Sequence, residues 1–551
     1  MCGICGVLIE DTLPEKDKVY DRFYSAMRKI SHRGPDKSIT INLKNPINVI
    51  LDFERLSILD LSTNGDQPFT NEYNSRAVYV ICNGEIYNYK EIIKKYNLHP
   101  LSTSDCEVIP LLYDFSDYDF IEDIRMMCNM FNSEHAFAIL DIDMETGDYK
   151  LILSSDRFGI RPLFTAQDNT GFYFASELDG LACTPNAHIE RFRPRHFAII
   201  TKERGILSNL KYYPYYVLQP EKILYTNVEE CKLNIRKLLE EAVITRLQSD
   251  QPVGCLLSGG LDSSLVAAIA ARELKKSGKV LKTFSIGMPD GTDEKYALMV
   301  SKYIGSEHKH IMLTEDDFFN AIPDVVRAIG SYDITTVRAS TGQYLISKWI
   351  SSNTDIKVLL TGDGSDENQG SYKYFLKAPN PEAFHEECIR LLEDIHLYDG
   401  LRADRSISRF GMEARFPFLD YKFVEYILRI DPLLRMAKNG VEKWLLRVSF
   451  GTDLLPQEIL DRSKEAFSDG VSPKEKSLYI MFQERISKLD IEEQKYEHLP
   501  PTSKEALYLR KIFCDHYGSN ESLAKTIPYY WLPKWSGNIT EPSARVLDVY
   551  K

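Results

Sequence analysis

The chain has 551 residues, with 44% hydrophobic and 27% charged side chains, the composition of a soluble globular protein long enough for two or three domains with substantial cores. Its net charge of −13, with no Lys/Arg-rich block to offset it, argues against a nucleic-acid partner, and no apolar span approaches the roughly 20 residues of a membrane helix. The ten cysteines are scattered and no charged region followed by an apolar core opens the chain, so neither a disulfide framework nor a signal peptide is expected and the compartment reads as the reducing cytoplasm.

From the N-terminus to about residue 205 the chain is strand-rich. Short apolar or alternating runs predict strands at Gly6–Glu10, Ala77–Cys82, His135–Asp141, Tyr149–Ser154 and Gly171–Ala175, with a hairpin-type turn at Asp143–Gly147. Helices are expected at Lys18–Ile30 and Asp105–Tyr113, giving sheets covered by helices. Removal of Met1, which a small next residue permits, would make Cys2 N-terminal. A free α-amine of near-neutral pKa then serves a thiolate nucleophile as its base, without any histidine. On position alone the alternative is a buried cysteine in the first strand. Cys2-Gly3-Ile4-Cys5 has redox-motif spacing, but it opens the chain instead of joining a strand to a helix, which argues against that chemistry.

Five stretches change the balance at Cys2. Cys2 to Gly6, Ser31-His32-Arg33-Gly34-Pro35-Asp36, Arg55-Leu56-Ser57-Ile58, Asn83-Gly84-Glu85-Ile86-Tyr87-Asn88 and Ser104-Asp105-Cys106-Glu107 occur in this order, and together they resemble class II glutamine amidotransferases. The resemblance implies an αββα N-terminal-nucleophile hydrolase fold. It also implies that Cys2 attacks the glutamine amide to form a glutamyl thioester. Arg55, in the Arg55-Leu56-Ser57-Ile58 stretch, would pair with the substrate α-carboxylate, and Glu85 and Asp105 would hold the α-ammonium. The Asn83 side-chain N–H and the Gly84 backbone N–H would form the oxyanion hole.

Ser154 to Leu163 is a charged Gly/Pro turn that reads as structural. Pro194, Pro214 and Pro220, with tyrosines between, mark a connection. The expected domains are 2–205, a linker 206–226, and 227–551.

Beyond the linker the pattern becomes alternating helices and apolar strands: helix Glu229–Gln248, strand Val253–Leu257, helix Leu261–Leu274, strand Leu281–Ile286, helix Asp293–Ile304 and strand Lys309–Leu313. Such repeats imply a parallel sheet with helices on both faces, which binds ligands beyond its strand C-termini. Leu257-Ser258-Gly259-Gly260-Leu261-Asp262-Ser263-Ser264 joins the first of these strands to its helix and reads as a phosphate cradle. Its glycines admit backbone N–H groups to an anion, its hydroxyls add donors, and the helix dipole points at the site. The Gly-Lys-Ser/Thr ending of a Walker loop is absent, and an ordinary Gly-rich turn is the alternative. A carboxylate beside a phosphate implies an intervening cation, so Asp262 predicts Mg²⁺. Ile286 and Gly287 fall at the same sheet edge, which suits ATP. His308 and His310, without a cysteine or carboxylate cluster, read as ordinary strand residues. Strand Ile356–Leu360 runs into Thr361-Gly362-Asp363-Gly364-Ser365-Asp366-Glu367, where glycines and carboxylates at a strand end suggest either a second nucleotide and metal loop or an acidic turn.

The stretch from Leu257 to Ser264 resembles the pyrophosphate loop of enzymes that split ATP into AMP and pyrophosphate. The whole second half resembles the glutamine-hydrolysing asparagine synthetase family, on Tyr332 to Ser340, Leu401 to Arg405, Glu413 to Asp420 and Lys464 to Gly470, with the likeness fading after about residue 475. The implied reaction is attack of the aspartate β-carboxylate on the α-phosphorus of ATP, then attack of ammonia on β-aspartyl-AMP. ATP would lie on Leu257, Ser258, Gly259, Gly260, Asp262, Ser263, Ile286, Thr361, Gly362 and Lys464. Asp262 and Asp366 would hold Mg²⁺, and Arg338 and Arg402 would meet aspartate and phosphate. The family loop carries glutamate where this chain has Asp363, and serine where it has Thr361. Asp363 keeps the charge with about one methylene less reach, and is expected to serve with a reduced rate. The expected partners are glutamine, aspartate and ATP, with no nucleic acid and no membrane, and a homodimer is left open. A related amidotransferase acting on another carboxylate, a catalytically impaired relative and an RNA-modifying adenylating enzyme are the alternatives.

Overall fold

Alternation at period two builds the N-terminal half. The computed structural model describes all residues except 12, 45–46, 74, 114–119, 185–186, 220–221, 474, 519 and 538–551, and all described side chains except those of residues 73 and 468. It divides into one unit of Met1–Val217 with Ser519–Thr526 and another of Leu218–Gly518 with Ile527–Lys551.

In the first unit the strands are β1 (Gly3–Ile9), β2 (Lys37–Leu43), β3 (Val49–Arg55), β4 (Phe69–Tyr73), β5 (Arg76–Ile86), β6 (Ser133–Asp143), β7 (Tyr149–Ser155), β8 (Phe164–Asp168), β9 (Gly171–Ala175), β10 (His188–Arg191), β11 (His196–Glu203), β12 (Ile206–Leu207) and β13 (Lys211–Pro214). They form one sheet ordered β10-β8-β9-β1-β3-β2 and a second ordered β12-β11-β7-β6-β5-β4, with β13 paired to β11. Along β5, Ala77, Tyr79 and Ile81 enter the core shared with Ile4, Leu51 and Phe53 of the other sheet. Val78, Val80 and Cys82 point the other way, into a second core, as the pleat requires. Helices α1 (Lys16–Met27), α2 (Tyr89–Tyr96), α3 (Val108–Tyr113) and α4 (Phe120–Met130) complete the layers. α1 lies on β1, α3 packs on β5 and α4 on β11, so the order is the αββα sandwich that the resemblance implied.

Residues 206–226, expected as a connection, begin as sheet: β12 and β13 both pair with β11. The prolines that suggested a linker are compatible with this because Pro214 ends an edge strand, where a missing N–H costs no ladder bond. Pro220 lies outside the described residues. The short helix Glu521–Lys525 packs on β10, with Ser522 Oγ donating to the Ala187 carbonyl at 3.0 Å, so the first unit also contains a late piece of the chain.

The second unit follows the expected strand–helix repeat: α5 (Val228–Thr245), β14 (Val253–Leu256), α6 (Leu261–Lys276), β15 (Lys282–Gly287), α7 (Thr292–Ile304), β16 (Glu307–Met312), α8 (Glu315–Ile329), α9 (Ile334–Asn353), β17 (Val358–Leu360) and, later, β18 (Glu413–Arg415). Every pairing in the sheet β16-β15-β14-β17-β18 is parallel. The chain moves outward from β14 to β16 and returns to β17 on the other side of β14. With the right-handed crossovers that parallel strands nearly always take, this reversal puts helices on both faces, and it makes a topological switch point between β14 and β17. His308 and His310 on β16 hydrogen-bond to Ser285 and Thr283 of β15, so they are strand residues as expected.

Candidate active sites

In the first unit, strand register gathers the predicted residues at one end of the sandwich. Gly3 of β1 opposes Glu54 of β3, which sets Cys2 beside Arg55. The Cys2 thiol donates to the Leu56 carbonyl at 3.6 Å, and its sulfur accepts from the Leu56 N–H at 3.4 Å. Ser57 N–H donates to Asp36 at 2.8 Å, which joins the 31–36 stretch to the same corner, and Ile58 is buried beside it. Asn83 and Glu85 continue the inward series of Ala77, Tyr79 and Ile81, so the pleat turns both toward the inter-sheet face that Cys2 packs against. A side chain at Gly84 would put a Cβ 2.2 Å from the Glu134 carbonyl oxygen, so only glycine fits the contact between β5 and β6. Arg161 links the chain start to this strand end, with Nη1 2.5 Å from Met1 Sδ and Nη2 3.0 Å from Glu134 Oε2. Asp105 accepts from the Ile86 N–H at 2.5 Å.

Asn83 is fully buried, yet neither its amide nitrogen nor its amide oxygen has a partner among the described residues. Such an orphaned amide normally costs about 1–3 kcal/mol, and a ligand that accepts its N–H would remove the deficit. Arg55 is less available. Its guanidinium donates to the Ser62 carbonyl at 2.8 Å, to Asp66 at 2.5 Å and to the Asp60 carbonyl. Cys2 is held from behind as well: Arg33 Nε donates to its carbonyl at 2.9 Å, and Glu177 binds both Arg33, at 2.6 Å, and His32, at 3.1 Å. Met1 is fully buried against Arg33 and Arg161.

In the second unit the switch point carries the site. The loop after β14 and the loop after β17 face one another across a cavity of about 260 Å³. Leu257, Ser258, Gly260, Asp262, Ser263, Ile286, Thr361, Gly362, Asp363, Asp366, Arg338, Arg402 and Lys464 line it together. Gly259 shapes the turn with φ of 76°, and a Cβ there would lie 2.5 Å from the Ala297 nitrogen. The Ser263 hydroxyl accepts from the Ser258 N–H at 3.2 Å and bonds Ser258 Oγ at 3.1 Å, closing the loop on the first turn of α6.

The charges in this cavity are already paired. Lys443 Nζ lies 2.7 and 2.6 Å from the two oxygens of Asp262 and 2.7 Å from Asp366 Oδ1, and Lys464 donates to the other Asp366 oxygen. Burial alone would raise the Asp366 carboxyl, but the two ammonium groups outweigh it and hold it well below the usual range. Burial opposes the charge on Lys464, yet Asp366 and Asp262 raise its pKa above the ordinary lysine value. Arg402 donates to Asp363 at 2.7 Å and to Asp399 at 2.6 Å, and Gln343 Nε2 reaches the other Asp363 oxygen at 3.3 Å. Arg338, expected to meet phosphate or aspartate, is in a buried pair with Glu505, its Nε at 2.8 Å. Its charge is therefore compensated within the cavity wall. Arg462 donates to Asp293 at 2.7 Å and to the Ser258 carbonyl at 3.4 Å. Burial lifts the Asp293 carboxyl to about 6 against the pull of Arg462.

Asp262 and Asp366 fit a cation, since one ammonium already touches both. Among the described residues no cluster of three or more His, Cys, Asp or Glu side chains could hold a metal, so a hard ion here would need further oxygens from a ligand or water. The buried Thr361 Oγ1 and Gln343 Oε1 on the same walls lack partners among the described residues. Lys443, Asp399, Arg462 and Glu177 are the residues sequence reasoning missed. Lys443, Arg462 and Glu177 act through partners distant along the chain, whereas Asp399 pairs with Arg402 three residues on; Asp399 and Arg462 stand just outside the 401–405 and 464–470 stretches.

The model of the glutamine amidotransferase domain matches residues 1–208, and that of the asparagine synthase family matches 234–382 and 376–529. The similarity thus runs past residue 475, where the likeness was expected to fade. The chain is 40% identical to the glutamine-hydrolysing asparagine synthetase of Cricetulus griseus over 579 aligned positions, covering 100% of this chain and 99% of that protein. It is 39% identical, with the same coverage, to the human one. A probable asparagine synthetase of Acanthamoeba polyphaga mimivirus is 39% identical, covering 95% of this chain and 96% of its own.

Proposed function

The chain belongs to the glutamine-hydrolysing asparagine synthetase family, and from that membership we propose how its own residues divide the chemistry between a glutaminase site and an adenylation site. It is an enzyme that makes asparagine from aspartate and glutamine with ATP as co-substrate. The observation that supports the division most directly is the single cavity around the switch point, where a phosphate-type loop, a carboxylate-bearing loop and Lys464 meet.

At the first site Cys2, N-terminal once Met1 is removed, attacks the amide carbon of glutamine with its own α-amine as base. Asn83 Nδ2 and the Gly84 N–H stabilise the oxyanion, ammonia leaves, and water releases glutamate from the thioester. The orphaned Asn83 amide supports this role. Arg55, Glu85 and Asp105 receive the amino-acid end of the substrate, with Arg55 giving up part of its protein contacts to do so.

At the second site the aspartate β-carboxylate displaces pyrophosphate from ATP, and ammonia then displaces AMP from the acyl-adenylate. The Ser258–Ser263 loop receives the phosphates, and Lys464 offsets their charge as pyrophosphate departs. Asp262 and Asp366 would hold Mg²⁺, which when bound supplies further neutralisation of phosphate charge. Asp363 and Arg402 stand on the wall facing the loop, so their ion pair borders the acyl end of the substrate. No described helix is long and apolar enough to cross a membrane. Among the described residues, which include every cysteine, no disulfide occurs. Both facts support a cytoplasmic reading, and the net charge of −13 supports a small-molecule enzyme without a nucleic-acid partner.

Two measurements test this. Glutamine labelled at its amide nitrogen is expected to deliver label into asparagine when ATP, Mg²⁺ and aspartate are present; label found only as free ammonia overturns coupled synthesis. The wild-type chain is also expected to release pyrophosphate with aspartate, ATP and Mg²⁺. Asp363→Glu, which restores the family's longer side chain, should raise that rate by about tenfold to 10²-fold. A wild-type protein that binds ATP but releases no pyrophosphate removes Asp363 as a working substitute.

A further inference from the structure

Lys443 is 3% exposed and belongs to no motif recognised in the sequence, yet its ammonium is the hub of the adenylation cavity. It touches both oxygens of Asp262 and one of Asp366, while Lys464 takes the remaining Asp366 oxygen. Two carboxylates and two ammonium groups make the cluster neutral. We propose that Lys443 is an exchangeable resident cation: it holds the Asp262–Asp366 pair in the empty enzyme, and moves onto the phosphate chain when a divalent ion and ATP enter together. This rests on the reading of Asp262 and Asp366 as the metal-binding pair.

The electrostatics dictate the coupling. A divalent ion arriving alone would displace Lys443 and leave a buried, unpaired ammonium, which costs several kcal/mol. ATP arriving alone would bring phosphate oxygens against two carboxylates. Arriving together, the ion neutralises the carboxylates and the phosphates receive the lysine, so no charge is stranded. Each ligand therefore strengthens the other's binding.

Lys443 stands at a constrained point of the backbone. Lys443 has φ of 55° and ψ of 25°, the left-handed region that costs an ordinary side chain about 1–3 kcal/mol and persists only where surrounding contacts impose it. A tight turn precedes it, closed by reciprocal hydrogen bonds between Lys438 and Val441 at 3.1 and 3.0 Å. Glu442 Oε1 accepts from the Lys464 N–H at 2.6 Å, which ties the two lysine-bearing segments together.

The test uses Mn²⁺ as the probe, with binding read from the free-ion resonance of the full-length chain. In the wild type, a non-hydrolysable α,β-methylene analogue of ATP should tighten Mn²⁺ binding by about tenfold or more. Lys443→Met should bind Mn²⁺ without nucleotide about tenfold more tightly than the wild type, so that the analogue adds less to its binding, whereas Lys443→Arg should behave as the wild type. Mn²⁺ alone should also raise the unfolding temperature of Lys443→Met but not of the wild type. Lys443→Gln, which retains a polar head, carries the same expectations if the methionine variant fails to fold. Unchanged or weaker Mn²⁺ binding by the methionine and glutamine variants, or equal wild-type binding with and without the analogue, overturns the exchange. If label from glutamine still reaches asparagine in the wild type, only the exchange has failed. If it does not, the reading of the site has failed as well.

Discussion

Cys2→Ala is expected to drive glutamine-dependent synthesis and glutamate release to the assay floor, a loss on the order of 10⁴-fold or more, while leaving synthesis from added ammonium within about twofold. Removing a covalent nucleophile leaves only binding and oxyanion stabilisation, and a methyl group cannot form the thioester. The adenylation cavity draws every lining residue from the second unit, so its chemistry does not depend on the thiol. The structural cost is small. The sulfur's contacts with the Leu56 backbone, at 3.4 and 3.6 Å, are weak hydrogen bonds together worth about 1 kcal/mol, which predicts a fall in unfolding temperature of a few degrees at most. Parallel assays of glutamate, asparagine and pyrophosphate check the result. Loss of ammonium-driven synthesis in step with glutaminase would show that Cys2 acts on the fold and not as a nucleophile.

Much of this architecture was legible where one physical rule acts alone. Strands β5, β6 and β7 alternate cleanly because each has one face in each core, and the glycines around Ser258 announce a backbone that must come close to something. β3 was not recognised as a strand because its outward face carries Asp52 and Glu54, which are buried despite their charge. Asp52 shows the consequence: burial lifts its carboxyl to about 7, a perturbation that local sequence does not announce. β2 was missed for the opposite reason, since it is an edge strand of half-exposed residues with little apolar contrast. In the adenylation site the motif residues were readable, among them Lys464 and Arg402 that pair with Asp366 and Asp363, whereas Lys443 and Glu505 were not. Glu505 meets Arg338 across 167 positions and Lys443 meets Asp262 across 181. No local pattern encodes pairings at that separation.

That pairing decides what Lys464→Met should do. A buried ion pair broken from one side usually costs about 3–5 kcal/mol because a charge is left stranded, but here Lys443 still holds Asp366 at 2.7 Å. The variant is therefore expected to fold, with a stability loss below that range. The catalytic loss is the larger effect. A cation supplied to a departing phosphate acts when charge builds on the leaving group, and removing one typically lowers phosphoryl-transfer rates by about 10³–10⁵-fold. Pyrophosphate release should fall by that amount, and asparagine formation from either nitrogen source with it, while glutamate release persists. Lys464→Arg should recover only part of the rate, since a planar fork cannot reproduce a compact ammonium between Asp366 and a phosphate. The decisive comparison is single-turnover pyrophosphate release against ATP affinity. A rate within tenfold of wild type at saturating ATP would remove Lys464 from the chemical step and leave it as a structural partner of Asp366.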